Sequence, residues 1–259
     1  MRLDRFLVEN NYFPSRNKAH ESITLGEVYV NEKKIIKPSF EVDENAEIKI
    51  EKVRSFFVSN GGFKLEKAIN CFALDINNKV CLDIGASNGG FTHCLLLNGA
   101  KKVVALDVGE NQLEKSLVDD SRVIIKDNTN ARDITAKDFD EKFDAIVSDV
   151  SFISLKYIMP VINGIAKENA DVVLLIKPQF ECGKKALNKN GIVKDKKEHI
   201  RVIQELYDFA LNCNLTPFGL TFSPIRENKN IEYLFYLKNG IVSPRLKKDE
   251  LKNIIDSVK

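Results

Sequence analysis

Residues 79–96, KVCLDIGASNGGFTHCLL, read as an apolar strand that runs through a glycine-rich turn into a helix. Gly85, Gly89 and Gly90 let the backbone turn sharply and approach a ligand closely at the carboxyl end of the strand, where ligands of open α/β sheets bind. About twenty residues on, Asp107 ends the next strand in VVALDVG, placed to meet ribose hydroxyls. The turn is G-A-S-N-G-G rather than G-x-G-x-x-G: Ser87 replaces the second glycine, whose role is to admit a pyrophosphate. Asp83, just before the turn, would repel a pyrophosphate but can accept hydrogen bonds from a cationic methionine end. The pattern therefore favours S-adenosylmethionine over NAD. Phe91 and Thr92 close the motif, and Asp127, in IIKDNTNARD after the third strand, can reach adenine. Two alternatives stay open: Asp83 as a helix-cap or turn acceptor, and Asp127 as an exposed loop carboxylate.

The pattern around this stretch extends over residues 59–259. Apolar runs at VCLDIG, KVVALDVG, RVIIKD, FDAIVSDV, DVVLLIKP, TPFGLTFSP and IEYLFYLK have helical segments between most of them. They predict an α/β, Rossmann-like domain with a mostly parallel seven-stranded sheet and helices on both faces. The last two runs follow each other without a helix, which predicts an antiparallel hairpin at one edge and a reversed final strand.

Four charged residues sit where a mere scaffold does not need them. Asp149 in AIVSDVSF and Lys177 in VVLLIKPQFE end apolar strands, Glu232 lies in the apolar run NIEYLFYL, and Lys64 lies in SNGGFKLEKAI. Charges at apolar strand ends cost desolvation energy unless they pair. A lysine crowded by a second lysine and partly desolvated is expected to have a lowered pKa. Its neutral amine can then take a proton from a ribose hydroxyl, whose oxygen attacks a methyl group on sulfonium. The alternative is a set of structural salt bridges.

Residues 1–58 have another texture. LDRFLVEN puts Leu3, Phe6 and Leu7 on one helical face, and SRNKAHESITLG opens on a capping Ser15 and closes at Gly26. EVYVN and AEIKIE alternate with the strand period of two. Basic residues (Arg2, Arg5, Arg16, Lys18, Lys33, Lys34, Lys37) come early and acidic ones (Glu41, Asp43, Glu44, Glu47, Glu51) late. One face of a small α+β module can thus be basic and suited to phosphate contacts, or simply solvated. EKVRSFFVSNGG, with Phe56 and Phe57, predicts a packed hinge.

The 259 residues carry a net charge of +2, so any nucleic-acid surface must come from local clustering. Five widely spaced cysteines without C-x-x-C, and three scattered histidines, speak against a disulfide framework or a metal site and for a reducing compartment. The charged N-terminus and the lack of an 18-residue apolar run predict a soluble cytoplasmic protein with no membrane insertion.

R-L-D at the start, S-R-x-x-A-x-x-x-I-x-x-G, V-x-V-N and K-P-S resemble the RNA-binding domain named after small-subunit ribosomal protein four. That resemblance implies RNA contacts by Arg5, Arg16, Lys18, Lys33 and Lys34. Lys64, Asp149, Lys177 and Glu232 match the Lys-Asp-Lys-Glu tetrad of FtsJ-type ribose 2′-O-methyltransferases. With SNGGFKLEKA, CLDIGASNGGFT, SDVSFISL and LIKPQFE, the chain is similar to the TlyA family, often labelled haemolysin A. The resemblance implies S-adenosylmethionine-dependent 2′-O-methylation of a cytidine ribose in ribosomal RNA within a subunit, large-subunit RNA favoured and small-subunit RNA second. Lys177 is then the base and Lys64 its helper. The other reading is a non-catalytic RNA-binding assembly factor. The chain departs from the family where Asn60 replaces the arginine of S-R-G-G, and residues 241–259 match no motif and predict a tail helix on the sheet. ECGKKALNKNGIVKDKKEH, beside Lys177, is a loop able to grip phosphate.

Overall fold

Val80–Ile84 (β4) is buried at every residue, as a strand covered on both faces must be. The computed structural model describes residues 1–13, 16–24, 26–43, 45–51, 57–224 and 229–258, without the side chains of residues 17, 18 and 21. The expected cap Ser15, the acidic Glu44, the hinge residue Phe56 and the Lys18 side chain lie outside these. The chain divides into two units, Met1–Phe56 and Phe57–Lys259. The division falls two residues before the expected boundary because Phe57, 1% exposed, belongs to the core of the second unit.

In the second unit β4 pairs in parallel with Lys102–Leu106 (β5) and Phe143–Ser148 (β7). β5 in turn pairs with Val123–Lys126 (β6), and β7 with Ala166–Ile176 (β8), both also in parallel. Tyr233–Asn239 (β10) lies antiparallel between β8 and Leu215–Phe222 (β9), giving the seven-stranded order β6-β5-β4-β7-β8-β10-β9. The hairpin forms at one edge and the final strand is reversed, as expected; the reversed strand lies inside, with β9 outermost. Pro217 explains the choice: β9 carries a residue that cannot donate to a ladder on both sides, whereas Tyr233, Leu234, Phe235 and Leu237 of β10 are fully buried.

Helices Gly61–Phe72 (α3) and Gly90–Leu97 (α4) pack on each other, and the apolar residues of both join the core on one sheet face. Met159–Ile165 (α6) and Lys196–Asn212 (α8) bury their apolar residues in the core of the other face. Glu250–Asp256 (α9) packs on α8 and β9 through Leu251 and Ile255, which makes the tail the sheet-covering helix expected. Between β5 and β6 there is only the one-turn helix Lys115–Val118 (α5), and between β6 and β7 only a 3-10 turn at Ala136–Asp138. The residues at the carboxyl ends of β5 and β6 therefore stand on loops.

The first unit packs Leu3–Glu9 (α1) and Arg16–Thr24 (α2) on a three-stranded antiparallel sheet. Leu3, Phe6 and Leu7 bury together, as their spacing predicts. The sheet has one strand more than expected: Lys33–Ile35 (β2) joins Val28–Val30 (β1) and Ile48–Ile50 (β3) in the order β2-β1-β3. The signal was weak because β2 is short and lysine-rich, and the hairpin closes on Asn31 (φ +49°) and Glu32 (φ +64°) rather than on glycine.

Candidate active site

α3 and α4 begin side by side because glycines let their backbones touch. A Cβ at Gly90 would overlap Ser59 Oγ and stand 2.9 Å from Gly62 N, and one at Gly62 would overlap the Phe57 ring. Gly89, at φ +88°, likewise leaves no room beside Leu117 and Leu113. The glycines of the opening motif thus serve the turn and the helix packing as well as the crevice. This junction fixes Lys64, which lies in the first turns of α3 while Leu65, Ala68 and Ile69 anchor the helix in the core.

The four expected charged residues meet at the carboxyl ends of β7 and β8. Asp149 Oδ2 lies 3.1 Å from Lys64 Nζ, and Asp149 Oδ1 lies 2.6 Å from Lys177 Nζ, an ion pair outside hydrogen-bonding angles. Lys64 Nζ also reaches Glu232 Oε2 at 2.8 Å. Register explains the arrangement: Tyr233 pairs with Ile176, so Glu232 comes just before and Lys177 just after the last rung between β10 and β8. Burial by itself would lower the Lys64 pKa, but Asp149 and Glu232 together outweigh it and the pKa is raised. The lowering expected from crowding is therefore reversed at Lys64, because each ammonium faces carboxylate rather than the other ammonium. Burial would raise the Asp149 pKa, and the two lysines outweigh it and hold it below the usual carboxylate range.

At the end of β4, Asp83 is fully buried. Its Oδ2 accepts hydrogen bonds from Thr92 N at 2.9 Å and Thr92 Oγ1 at 2.7 Å, so it caps α4, while Oδ1 is buried with no hydrogen-bond partner among the described residues. Burial pushes its pKa up to about 7 against the pull of Thr92. A buried carboxylate with a spare oxygen fits a cationic group, such as the ammonium of S-adenosylmethionine. Gly85, at φ +82°, turns the chain against Asp149 and Val150. Ser87 is exposed at φ +48°. Asp107 accepts from Ser87 N and Gly109 N, each at 2.8 Å, and Asp127 Oδ2 accepts from Asn111 N at 2.9 Å. Both carboxylates thus order the loops around them. Phe91 is buried in the packing of α4 beside α3.

In the first unit Arg5 is paired with Glu9 at 2.6 Å, and Arg16 with Asp4 at 2.7 Å. Asp4 is buried and also bonds Arg2, whose hydrogen bonds lead in holding its pKa down to about 2. Lys33 and Lys34 are exposed on β2, an edge strand, with Lys34 Nζ 5.5 Å from the centre of the Tyr29 ring.

Residues 57–239 match the FtsJ-like methyltransferase family, and residues 1–48 match the S4 domain. The 16S/23S rRNA (cytidine-2′-O)-methyltransferase TlyA of Mycobacterium tuberculosis is 38% identical over 239 residues, spanning 92% of this chain and 89% of that protein. The chain belongs to the TlyA family of FtsJ-like methyltransferases. The 23S rRNA (cytidine-2′-O)-methyltransferase TlyA of Campylobacter jejuni is 36% identical over 263 residues, 92% of this chain and 100% of that protein. A solved haemolysin-type protein from Streptococcus thermophilus has a TM-score of 0.79 at 36% identity, covering 99% of this chain and 94% of that one.

Sequence reasoning missed several residues of this TlyA-family site. Lys177 Nζ donates to Ser151 Oγ at 2.7 Å. Phe152, 90% exposed at φ +62°, lies with its ring 5.0 Å from that of Phe180. Glu181 accepts from Ser154 Oγ at 2.6 Å and Leu155 N at 2.8 Å. SDVSFISL and LIKPQFE held these residues, but no periodicity marks which loop side chains cross between two strands. Among the described residues no helix is long and apolar enough to cross a membrane, and no group of three or more His, Cys, Asp or Glu is placed to hold a metal.

Proposed function

We propose that this chain transfers a methyl group from S-adenosylmethionine to the 2′-hydroxyl of a cytidine ribose in ribosomal RNA, large-subunit RNA being the favoured target and small-subunit RNA the second. The observation that carries this reading is the cluster of Lys64, Asp149, Lys177 and Glu232, gathered at the strand ends beside the buried Asp83. The names of the Mycobacterium tuberculosis and Campylobacter jejuni relatives support the substrate class.

When bound, S-adenosylmethionine supplies an electrophilic methyl group on sulfonium. Asp83 holds the cationic end, Asp107 the ribose hydroxyls and Asp127 the adenine side, with Gly85 and Ser87 lining the turn. Lys64 faces two carboxylates, whereas Lys177 faces one carboxylate and the neutral Ser151 hydroxyl. Lys177, the lysine that also meets the exposed Ser151 hydroxyl, is the base that takes the 2′-hydroxyl proton, and Lys64 is its helper. Lys64 and Glu232 orient Asp149, and Asp149 orients Lys177. Arg5, Arg16, Lys18, Lys33 and Lys34 contribute phosphate contacts, and Arg5, Arg16, Lys33 and Lys34 are exposed. Such an enzyme works in the cytoplasm, where ribosomal subunits are.

The test is transfer of radiolabelled methyl from S-adenosylmethionine to purified ribosomal subunits, with Lys177→Ala in parallel. Label on a ribose of large-subunit RNA that disappears in the variant is the expected result. No label on either subunit or on free RNA, with cofactor binding intact, supports the non-catalytic assembly reading instead.

A further inference from the structure

Lys177 is 7% exposed, whereas Ser151, its hydrogen-bond acceptor at 2.7 Å, is exposed. The serine hydroxyl thus stands between a buried ammonium and water. The turn that puts it there is held from several sides. Phe152, the next residue, takes a left-handed conformation at φ +62°, which a bulky residue adopts only where its surroundings impose it. Its ring rests near Phe180, and Ser154 and Leu155 donate to Glu181. Phe180 and Glu181 belong to the short helix Pro178–Glu181 (α7), which begins directly after Lys177. Glu181 therefore ties the segment that carries the amine to the loop that carries the hydroxyl.

We propose that Ser151 is the proton outlet of Lys177. This rests on the reading of Lys177 as the base. After each transfer Lys177 is an ammonium that must lose the proton taken from the 2′-hydroxyl. The Ser151 oxygen accepts that proton while its own O–H proton passes to water, leaving a neutral amine, an intact serine and a hydronium ion. The other charged groups around Lys177 are poor outlets. Asp149 is held ionised between two lysines, and Glu232 is engaged by Lys64. Asp83 is fully buried away from water, and its spare oxygen is the one assigned to the cofactor's ammonium, while Glu181 bonds Ser154 and Leu155. A neutral hydroxyl moves the proton without disturbing this charge balance. Ser151 is a positioning and relay residue that acts through Lys177.

The test measures kcat against pH for methyl transfer from labelled S-adenosylmethionine to ribosomal subunits, for the wild-type chain, Ser151→Ala, Ser151→Thr and Lys177→Ala. Ser151→Ala is expected to lower kcat about ten-fold near neutral pH. The deficit should narrow as pH rises, since hydroxide then removes the proton directly. Cofactor affinity and melting temperature should stay unchanged, and Ser151→Thr, which keeps the hydroxyl, should recover most of the rate. A Ser151→Ala profile that overlays the wild type, a deficit independent of pH, or a threonine variant as slow as alanine overturns the proposal. If the wild-type chain transfers and Lys177→Ala does not, such a result sinks the outlet alone. If the wild-type chain transfers no label, the reading of Lys177 as a base fails and the outlet with it.

Discussion

Lys64 and Lys177, from α3 and from the end of β8, share one carboxylate: Asp149 lies 3.1 Å from the first and 2.6 Å from the second. Replacing it as Asp149→Asn leaves Lys64 paired with Glu232 but takes from Lys177 the carboxylate it faces. We expect a loss of about 100-fold or more in kcat. Lys177→Ala should lose as much, and the double variant little more than either, because residues that act as one unit are not additive. Losses in kcat that multiply in the double variant would show that the residues work separately.

Asp83 should give cofactor binding a pH dependence. Its carboxyl is pushed up to about 7, and a cation binds the ionised form. Affinity for S-adenosylmethionine, measured by calorimetry, should rise by up to about ten-fold per pH unit below that point and level off above it. In Asp83→Asn it should be weaker and flat. The sign for stability is the opposite. A folded pKa above the unfolded value means the folded chain binds the extra proton. The cofactor-free protein should therefore lose on the order of 3–4 kcal/mol as pH rises from about 4 to about 7, relative to Asp83→Asn. A melting-temperature difference between the two that is constant over this range would remove the assignment.

Gly90→Ala tests the junction of α3 and α4. The added methyl meets Ser59 Oγ and the backbone of Gly62, neither of which is the free end of a long side chain. Overpacking of this kind costs about 1–3 kcal/mol. The variant should unfold at lower denaturant and lose activity beyond its loss of folded protein, because the start of α3 carries Lys64. Wild-type denaturation with reduced activity would locate the effect elsewhere.

Phe152→Ala should leave stability unchanged, since the ring is 90% exposed. An exposed ring directly after Ser151 in the chain and next to that of Phe180 offers a surface on which a nucleic-acid base can stack, worth about 1–3 kcal/mol by alanine substitution. KM for the RNA substrate should rise roughly ten-fold with cofactor affinity unaltered. An unchanged KM would leave Phe152 without a role in binding.

Much of the fold was legible because its signals are local. Apolar runs without alternation marked the buried parallel strands, and the positions of Leu3, Phe6 and Leu7 marked the buried face of α1. The strand β2 was not legible, since three residues with two lysines carry no period. Nor was the place of β10: the missing helix announced a hairpin, but whether its first or second strand lies inside depends on a competition for β8 that Pro217 decides.

The site divides in the same way. The chain itself determined that Asp149 and Lys177 end apolar strands, that Glu232 sits in an apolar run, and that Asp83 precedes a glycine turn, because each statement needs only neighbours in sequence. Tertiary structure alone decided that Asp149 would stand between Lys64 and Lys177, so that attraction to carboxylates outweighs burial at Lys64 and raises its pKa. It also decided that Asp83 would keep one buried oxygen free and that Ser151 would meet Lys177. Such contacts join residues far apart along the chain, and Coulomb energies at a few ångströms depend on distances that only the packed strands and helices set.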